Sequence, residues 1–350
     1  MTSPGGVKTE TAGPSLPGPT RPDGDRRSTL RQYVLGSSTL YLALALLALV
    51  VVFSALAPDA FGSAYNLRSV ATNASVLLIV AIGATFVIGS AGIDLSIGSV
   101  LVFSGIVSVK VMHWAGGDWQ AVLLGLVAAV VSGVCWGALN GFLITKARVP
   151  ALIATLGTLG MAFGLAQVMT DGTDLGGVPP EFVRTVGLGR LFGVVPWLVV
   201  IAAVVTLVAA GALQYTRFGR YTLAIGSNPE ASRRAGIKVD RHLIKVYTLA
   251  GALAGFAGFL NLARFSSTTI AGHGTDNLQV ITAVVLGGTS LFGGLATILG
   301  TVIGVFIPAV LQNGFVILGV QPFWQEVAVG VAVVVAVYVD QLKRRARDRA

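Results

Sequence analysis

Residues 121–144 read AVLLGLVAAVVSGVCWGALNGFLI, an uncharged run whose reading decides the fold. At about 1.5 Å per residue, a helix of this length spans the roughly 30 Å of bilayer hydrocarbon. Backbone groups inside hydrocarbon must satisfy one another, and the run lacks the apolar–polar alternation of a barrel strand, so it is a helix. Gly133, Gly137 and Gly141 recur in it at four-residue spacing. Small residues at that spacing let two helix backbones approach closely where lipid removes the usual hydrophobic drive.

The same reading extends in both directions. Apolar runs at 40–57, 70–89, 95–112, 151–169, 194–213, 243–263, 278–286, 296–312 and 326–339 join the first. The fold class is therefore all-α, a polytopic helical membrane protein of about ten transmembrane helices. The 278–286 run is shorter than the roughly 18 residues a crossing needs. It is a half-helix or re-entrant element, or it extends into the glycine-rich residues after it. Further four-residue glycine spacings occur at Gly160 and Gly164, Gly251 and Gly255, and Gly300 and Gly304. These are packing ridges inside one bundle, with contact to a second copy of the chain as the alternative.

Composition agrees: 54% of residues are apolar and 11% charged, and the formal net charge is +9. The basic residues orient the chain. With a cytoplasmic N-terminus, nineteen of twenty-four Lys and Arg fall on the cytoplasmic side, leaving Arg68, Lys110, Arg184, Arg190 and Arg264 outside or at the outer boundary. This places both termini in the cytoplasm of a bacterial inner-membrane protein, with residues 170–193 and 264–277 facing outward. The remaining positive charge meets anionic lipid. No aromatic interleaving points to nucleic acid.

Residues 1–38 are rich in Pro, Gly, Ser and Thr and form a disordered cytoplasmic tail. Residues 39–340 are the transmembrane domain, and residues 341–350 a basic cytoplasmic tail. The first span ends in Ala55-Leu56-Ala57, a processing-like pattern, but the polar stretch before it is long for a signal peptide, and an uncleaved span is the expectation. The single Cys135 lies within an apolar run, which removes disulfide frameworks and cysteine metal clusters.

Two polar, glycine-rich turns interrupt the apolar pattern: GSAGIDLSIGS at 89–99 and GGTSLFGG at 287–294. Gly92 and Gly98 suit a sharp turn through their tolerance of positive φ, and Asp94 and Ser96 suit the cap of the helix that follows. A direct transport role for Asp94 is the alternative, since ionisable residues at membrane depth are functional candidates. Gly92, Leu95 and Gly98 align loosely with Gly288, Leu291 and Gly294, a hint of internal repetition.

GSNPEASRRAG, at 226–236, is a polar segment between two apolar runs. Asn228 suits the N-cap, Pro229 the first helical position, Glu230 the positive end of the dipole, Arg233 and Arg234 the negative end, and Gly236 the stop. Such a short helix is marginal alone in water, so it leans on its own bundle or on another protein.

Several chemistries are missing. No GxxxxGK[ST] loop occurs, GLGRLFG at 187–193 lacks the spacing and the βαβ context of a dinucleotide site, and no HExxH, paired-carboxylate or Ser/His/Asp arrangement is present. His113, His242 and His273 lie near span ends or in loops without a positioned partner for proton transfer. Enzymatic activity is not expected. The spans hold almost no acids to bind a coupling ion, so the energy for transport comes from elsewhere, although an ion-coupled secondary carrier of a small polar solute remains the alternative.

GIDLSIGS at 92–99, VPALIATLGTLGMAFGLA at 149–166, GSNPEASRRAGI at 226–237, AVVLGGTSLFGG at 283–294 and GVQPFWQ at 319–325 together resemble the permease subunits of ribose-type bacterial ATP-binding cassette sugar importers. The resemblance covers residues 40–339. It implies a homodimeric or heterodimeric membrane pore, a cytoplasmic ATPase that uses ATP and Mg, and an extracytoplasmic sugar-binding protein, with no cofactor or metal on this chain. It also implies that Asn228, Pro229, Glu230, Ala231, Arg233 and Gly236 belong to the coupling helix that rests in a groove of the ATPase. Candidate pathway residues for a monosaccharide such as a pentose are the polar groups in or beside spans: Asn73, Asn140, Thr155, Thr158, Asn261 and Asn313. Hydroxyls and amides suit a neutral sugar, and interhelical bonding is the competing role for each.

Overall fold

A computed structural model describes residue 2, residues 38–270 and 276–321, and residues 324, 327, 330, 331, 334 and 338. The chain divides into two units, Met1–Ser37 and Ser38–Ala350. The predicted tails, and most of the predicted last span at 326–339, lie outside the described residues.

Eleven helices carry the second unit among the described residues: α1 (Ser38–Leu56), α2 (Ala64–Gly89), α3 (Ile97–Trp114), α4 (Trp119–Thr145), α5 (Ala151–Val168), α6 (Trp197–Tyr215), α7 (Arg217–Ser227), α8 (Pro229–Arg234), α9 (Val239–Phe265), α10 (Asp276–Leu286) and α11 (Ile298–Ile317). Single turns at Pro58–Phe61 and Pro180–Phe182 and a π-turn at Val183–Gly187 add to these, and the described residues 324, 327, 330, 331, 334 and 338 are helical as well. One departure from the all-α expectation is a two-residue antiparallel hairpin, in which Arg190 pairs with Pro196 and Leu191 with Val195.

Seven of these helices, α2 to α6, α9 and α11, are long and apolar enough to cross a membrane; Leu40–Leu56 within α1, and α10, are shorter apolar helices. The chain is a multi-pass membrane protein. Ten remains an approximate number, because over the described residues the predicted eighth span is shorter than a full crossing. With 11 residues, α10 is about 16 Å long, and the turn after it brings the chain to the start of α11.

Burial sorts the helices. The most apolar window of α2 is 78% buried, that of α3 67% and that of α9 56%, whereas that of α6 is only 22% buried. The first three form the inner column, and the outer faces of α4, α5 and α6 are left for lipid. Glycine makes the inner column possible. A Cβ on Gly133 would lie 2.1 Å from Gly251 O, and one on Gly137 would lie 2.2 Å from Tyr247 O. The 133/137/141 ridge of α4 therefore meets the 251/255 ridge of α9 backbone to backbone. Likewise, a Cβ on Gly304 would sit 1.9 Å from Ala283 O, locking α10 against α11. Gly160 and Gly164 behave differently, with nothing within 4 Å. Their spacing on α5 is not a packing ridge within this bundle.

The two glycine-rich turns follow different physics from the sequence expectation. In the first, the left-handed residue is Ala91, with φ of 61°, and Gly92 does not take positive φ. Gly92 is needed for close approach instead: a Cβ there would fall 2.6 Å from Tyr247 Oη. Gly98 lies inside α3, while Gly288, Gly293 and Gly294 all have positive φ. The loose alignment of the two turns is therefore not a backbone equivalence, although the turns do touch through Gly294 N–H donating to Gly89 O at 3.0 Å.

Candidate functional site

The first group of candidate residues forms a helix at one end of the bundle. Asn228 Oδ1 accepts from Ala231 N at 2.9 Å, and Pro229 occupies the first turn of α8. At the other end of α8, Gly236 N donates to Arg233 O and Ile237 N to Ser232 O, both at 3.0 Å, with Gly236 at φ of 85°. This double bond pattern is the glycine-terminated helix stop, which only a residue tolerant of positive φ closes without strain. Asn228, Pro229, Glu230, Ala231, Arg233 and Gly236 are all exposed, and Ser232 is the one buried residue of α8.

A residue overlooked in the sequence anchors this element. Asp240, in the first turn of α9, is within 3.5 Å of Lys146 Nζ, 3.7 Å of Arg148 Nη2 and 3.6 Å of Arg233 Nη2. One carboxylate thus ties α8 to the α4–α5 turn. Only the fold brings 146, 148, 233 and 240 together, so no local pattern announces it. The preceding α7 is strongly amphipathic, with Arg217 and Arg220 exposed and Thr222, Ile225 and Gly226 buried, as suits a helix lying along a membrane surface. It is pinned to α9 by the Thr222 Oγ1 to His242 Nε2 contact at 2.9 Å and by Phe218 against the His242 ring. His242 is thereby given a structural partner.

A second site lies toward the opposite end, where α2, α9, α10 and α11 enclose a half-open cavity of about 430 Å³. That falls within the roughly 300–1,000 Å³ of small-molecule pockets. Three of the six pathway candidates line it: Asn73, Asn261 and Asn313. Asn313 exchanges paired amide bonds with Asn66 at 2.8 and 2.9 Å, and Asn261 Nδ2 donates to Thr269 Oγ1 at 2.9 Å. Arg264 donates to Asn73 Oδ1. Gln279, Gln312, Ser69, Asp276 and Arg264 share the lining and were missed. Two of them sit where glutamine interrupts an apolar helix, which is the signal that could have found them.

The other three pathway candidates are elsewhere. Thr158 Oγ1 donates to Asn140 Oδ1 at 2.7 Å, Asn140 Nδ2 donates to Ser96 Oγ at 2.8 Å, and Ser96 Oγ donates to Asp94 Oδ1 at 2.6 Å. This is a buried relay joining α5, α4 and the first turn. Thr155 turns its hydroxyl back onto Ala151 O of its own helix. None of these three faces the cavity.

The capping expectation for the first turn holds for one residue and not for the other. Asp94 Oδ1 accepts from Ser96 N at 2.9 Å, shaping the approach to α3, but Ser96 makes no side-chain cap. That task passes to Asn277 of α10, whose Oδ1 accepts from Gly98 N at 2.7 Å. Asp94 stands just before α3, near a span end as its sequence position suggested, and at 4% exposed it is buried inside the bundle. Among the described residues no group of His, Cys, Asp and Glu could hold a metal ion.

Residues 66–337 match the family described as branched-chain amino acid transport system / permease component. The ribose import permease protein of Escherichia coli strain K12 is 40% identical over 307 residues, covering 86% of this chain and 93% of that protein. The ribose import permease protein of Bacillus subtilis strain 168 is 38% identical, covering 86% and 92%. The D-allose transport system permease protein of Escherichia coli strain K12 is 33% identical, covering 84% and 89%. No solved structure matches the chain. With a match that takes in every membrane-crossing helix from α2 to α11, the chain belongs to this family of transport-system permeases.

Proposed function

We propose that this chain is the membrane-spanning subunit of an ATP-driven importer of a monosaccharide, of the ribose type, in a bacterial inner membrane. The observation that carries the reading is α8: a helix of six residues, capped at both ends, presents all six coupling candidates to solvent beside a bundle with no nucleotide-binding loop. A marginal helix this well terminated is built to be gripped from outside. Its partner is a cytoplasmic ATPase that uses ATP and Mg and pushes on α8 when it closes. A sugar-binding protein delivers cargo at the cavity end, and a second permease copy completes the pore. The chain itself hydrolyses nothing.

The cavity supports a neutral polyhydroxylated cargo. Amide and hydroxyl groups from Asn73, Asn261, Gln279, Gln312, Asn313 and Ser69 offer donors and acceptors without a fixed charge. Arg264 and Asp276 are its two charged groups. The loop charge bias supports α8 and both termini in the cytoplasm and the cavity mouth outside.

Uptake by proteoliposomes containing this chain, its ATPase and its binding protein tests the reading. ATP-dependent entry of labelled ribose is expected. Uptake driven by a proton or sodium gradient without the ATPase would overturn it, and uptake of branched-chain amino acids in place of sugar would overturn the cargo. For sidedness, a cysteine at Arg234 in a Cys135→Ala background should react with impermeant maleimide only from the cytoplasmic face.

A further inference from the structure

Three backbones meet without an intervening side chain at the point where α7 ends. A Cβ on Gly226 would fall 2.0 Å from Gly89 O and 2.6 Å from Gly294 N. Gly294 N–H itself donates to Gly89 O at 3.0 Å. A Cβ on Gly293 would fall 2.7 Å from Ala91 Cβ and 2.8 Å from Gly226 O. The end of α7, the end of α2 with the first turn, and the second turn are thus in direct main-chain contact. One residue beyond Gly226, Ser227 packs on Gly294, and the next residue is Asn228, the cap of α8.

We propose that the Gly89–Gly226–Gly294 contact is the joint through which the α8 loop drives both interrupted membrane elements as a single body, which makes Gly226 a positioning residue for transport. This rests on α8 being the coupling helix. Side chains absorb small displacements by changing rotamer, whereas touching backbones do not, and packed interiors are poorly compressible. A push on α8 is therefore delivered across one residue to Gly89 and Gly294 with no side chain to take it up.

From the joint the route to the cavity is short. The first turn is held by Tyr247 Oη donating to Ile93 O at 3.2 Å and by the Asp94–Ser96–Asn140–Thr158 relay. It then runs into α3, whose Gly98 N is bonded to Asn277. Asn277 adjoins Asp276 and is two residues from Gln279 on α10, and both of these line the cavity. The second turn leads directly back to α10 and on to α11, which brings Gln312 and Asn313 to the same wall. Both branches of the joint thus end on the cavity lining.

The test uses the full complex with ATPase and binding protein. In the fraction of Gly226→Ala that inserts and binds the ATPase, basal ATP hydrolysis should be kept and ribose uptake per assembled complex should fall by about tenfold or more. Unchanged uptake by Gly226→Ala would overturn the joint. As a second measurement, Gly89→Cys with Ala296→Cys in a Cys135→Ala background places two Cβ atoms 3.1 Å apart across the two turns. If the turns move as one body, oxidation of this pair leaves uptake within about twofold of the reduced protein. Loss of uptake on oxidation, restored by reductant, would overturn the single-body claim even where Gly226→Ala fails to assemble. Glu230→Lys separates this proposal from its premise: if it leaves ATPase binding and uptake intact, the coupling assignment of α8 fails, whatever the glycine variants do.

Discussion

Asn140 donates from its side-chain amide to Ser96 Oγ at 2.8 Å, joining α4 to the turn before α3. Its carbonyl oxygen accepts from Thr158 at 2.7 Å, so both halves of the amide are used. All three residues are fully buried. Asn140→Leu would strip a donor from Ser96 and an acceptor from Thr158. The expected loss is about 1–3 kcal/mol, read as a lower midpoint of thermal unfolding in detergent. Thr155→Val, which removes only a bond within its own helix, should shift the midpoint much less.

Gly133 and Gly160 look alike in sequence, and the fold separates them. Gly133→Ala would place a methyl group 2.1 Å from Gly251 O, while Gly160→Ala meets nothing within 4 Å. Forcing α4 and α9 apart should cost about 1–3 kcal/mol or more and reduce the yield of folded protein. Gly160→Ala should leave yield and unfolding midpoint unchanged. Equal losses from the two would mean that α5 is covered by something this chain does not supply.

Asp240 faces three cations across distances of 3.5 to 3.7 Å, all on partly exposed side chains. Exposed pairs of this kind contribute little stability, about 0–1 kcal/mol. Asp240→Asn should accordingly leave unfolding nearly unchanged, yet release Arg233 and loosen α8. Expected is a drop in ATP-dependent uptake at normal membrane insertion, with the wild-type response to added salt flattened.

Arg264 donates to Asn73 on the cavity wall, and Phe265 lies beneath its guanidinium at 4.4 Å. Arg264→Gln keeps an amide donor for Asn73 and removes the charge. A neutral cargo predicts that sugar uptake falls by less than about tenfold, whereas an anionic or zwitterionic cargo predicts near abolition. Competition by unlabelled ribose and by leucine against the same variant distinguishes the two.

Much of this protein is legible from one dimension. Long uncharged runs specify membrane helices because hydrocarbon leaves the backbone no other way to pair its polar groups. The caps of α8 are equally local: Asn228, Pro229 and Gly236 act within four residues of themselves, so their chemistry can be read before any fold exists. The glycine ridges of α4 and α9 also announce a close contact, though not with whom.

Tertiary structure decided everything that depends on two distant segments meeting. It divided the six polar candidates into three that line a cavity and three that do not, since an asparagine in a span has the same local appearance in either place. It gave the cap of α3 to Asn277 in place of Ser96, put positive φ at Ala91 in place of Gly92, and made Asp240 the anchor of α8. It also brought Gly89, Gly226 and Gly294 to one point. Local chemistry acts over a few residues and is written in their order, but close packing of backbones is settled only when the whole bundle closes, because each contact depends on where every other helix has come to rest.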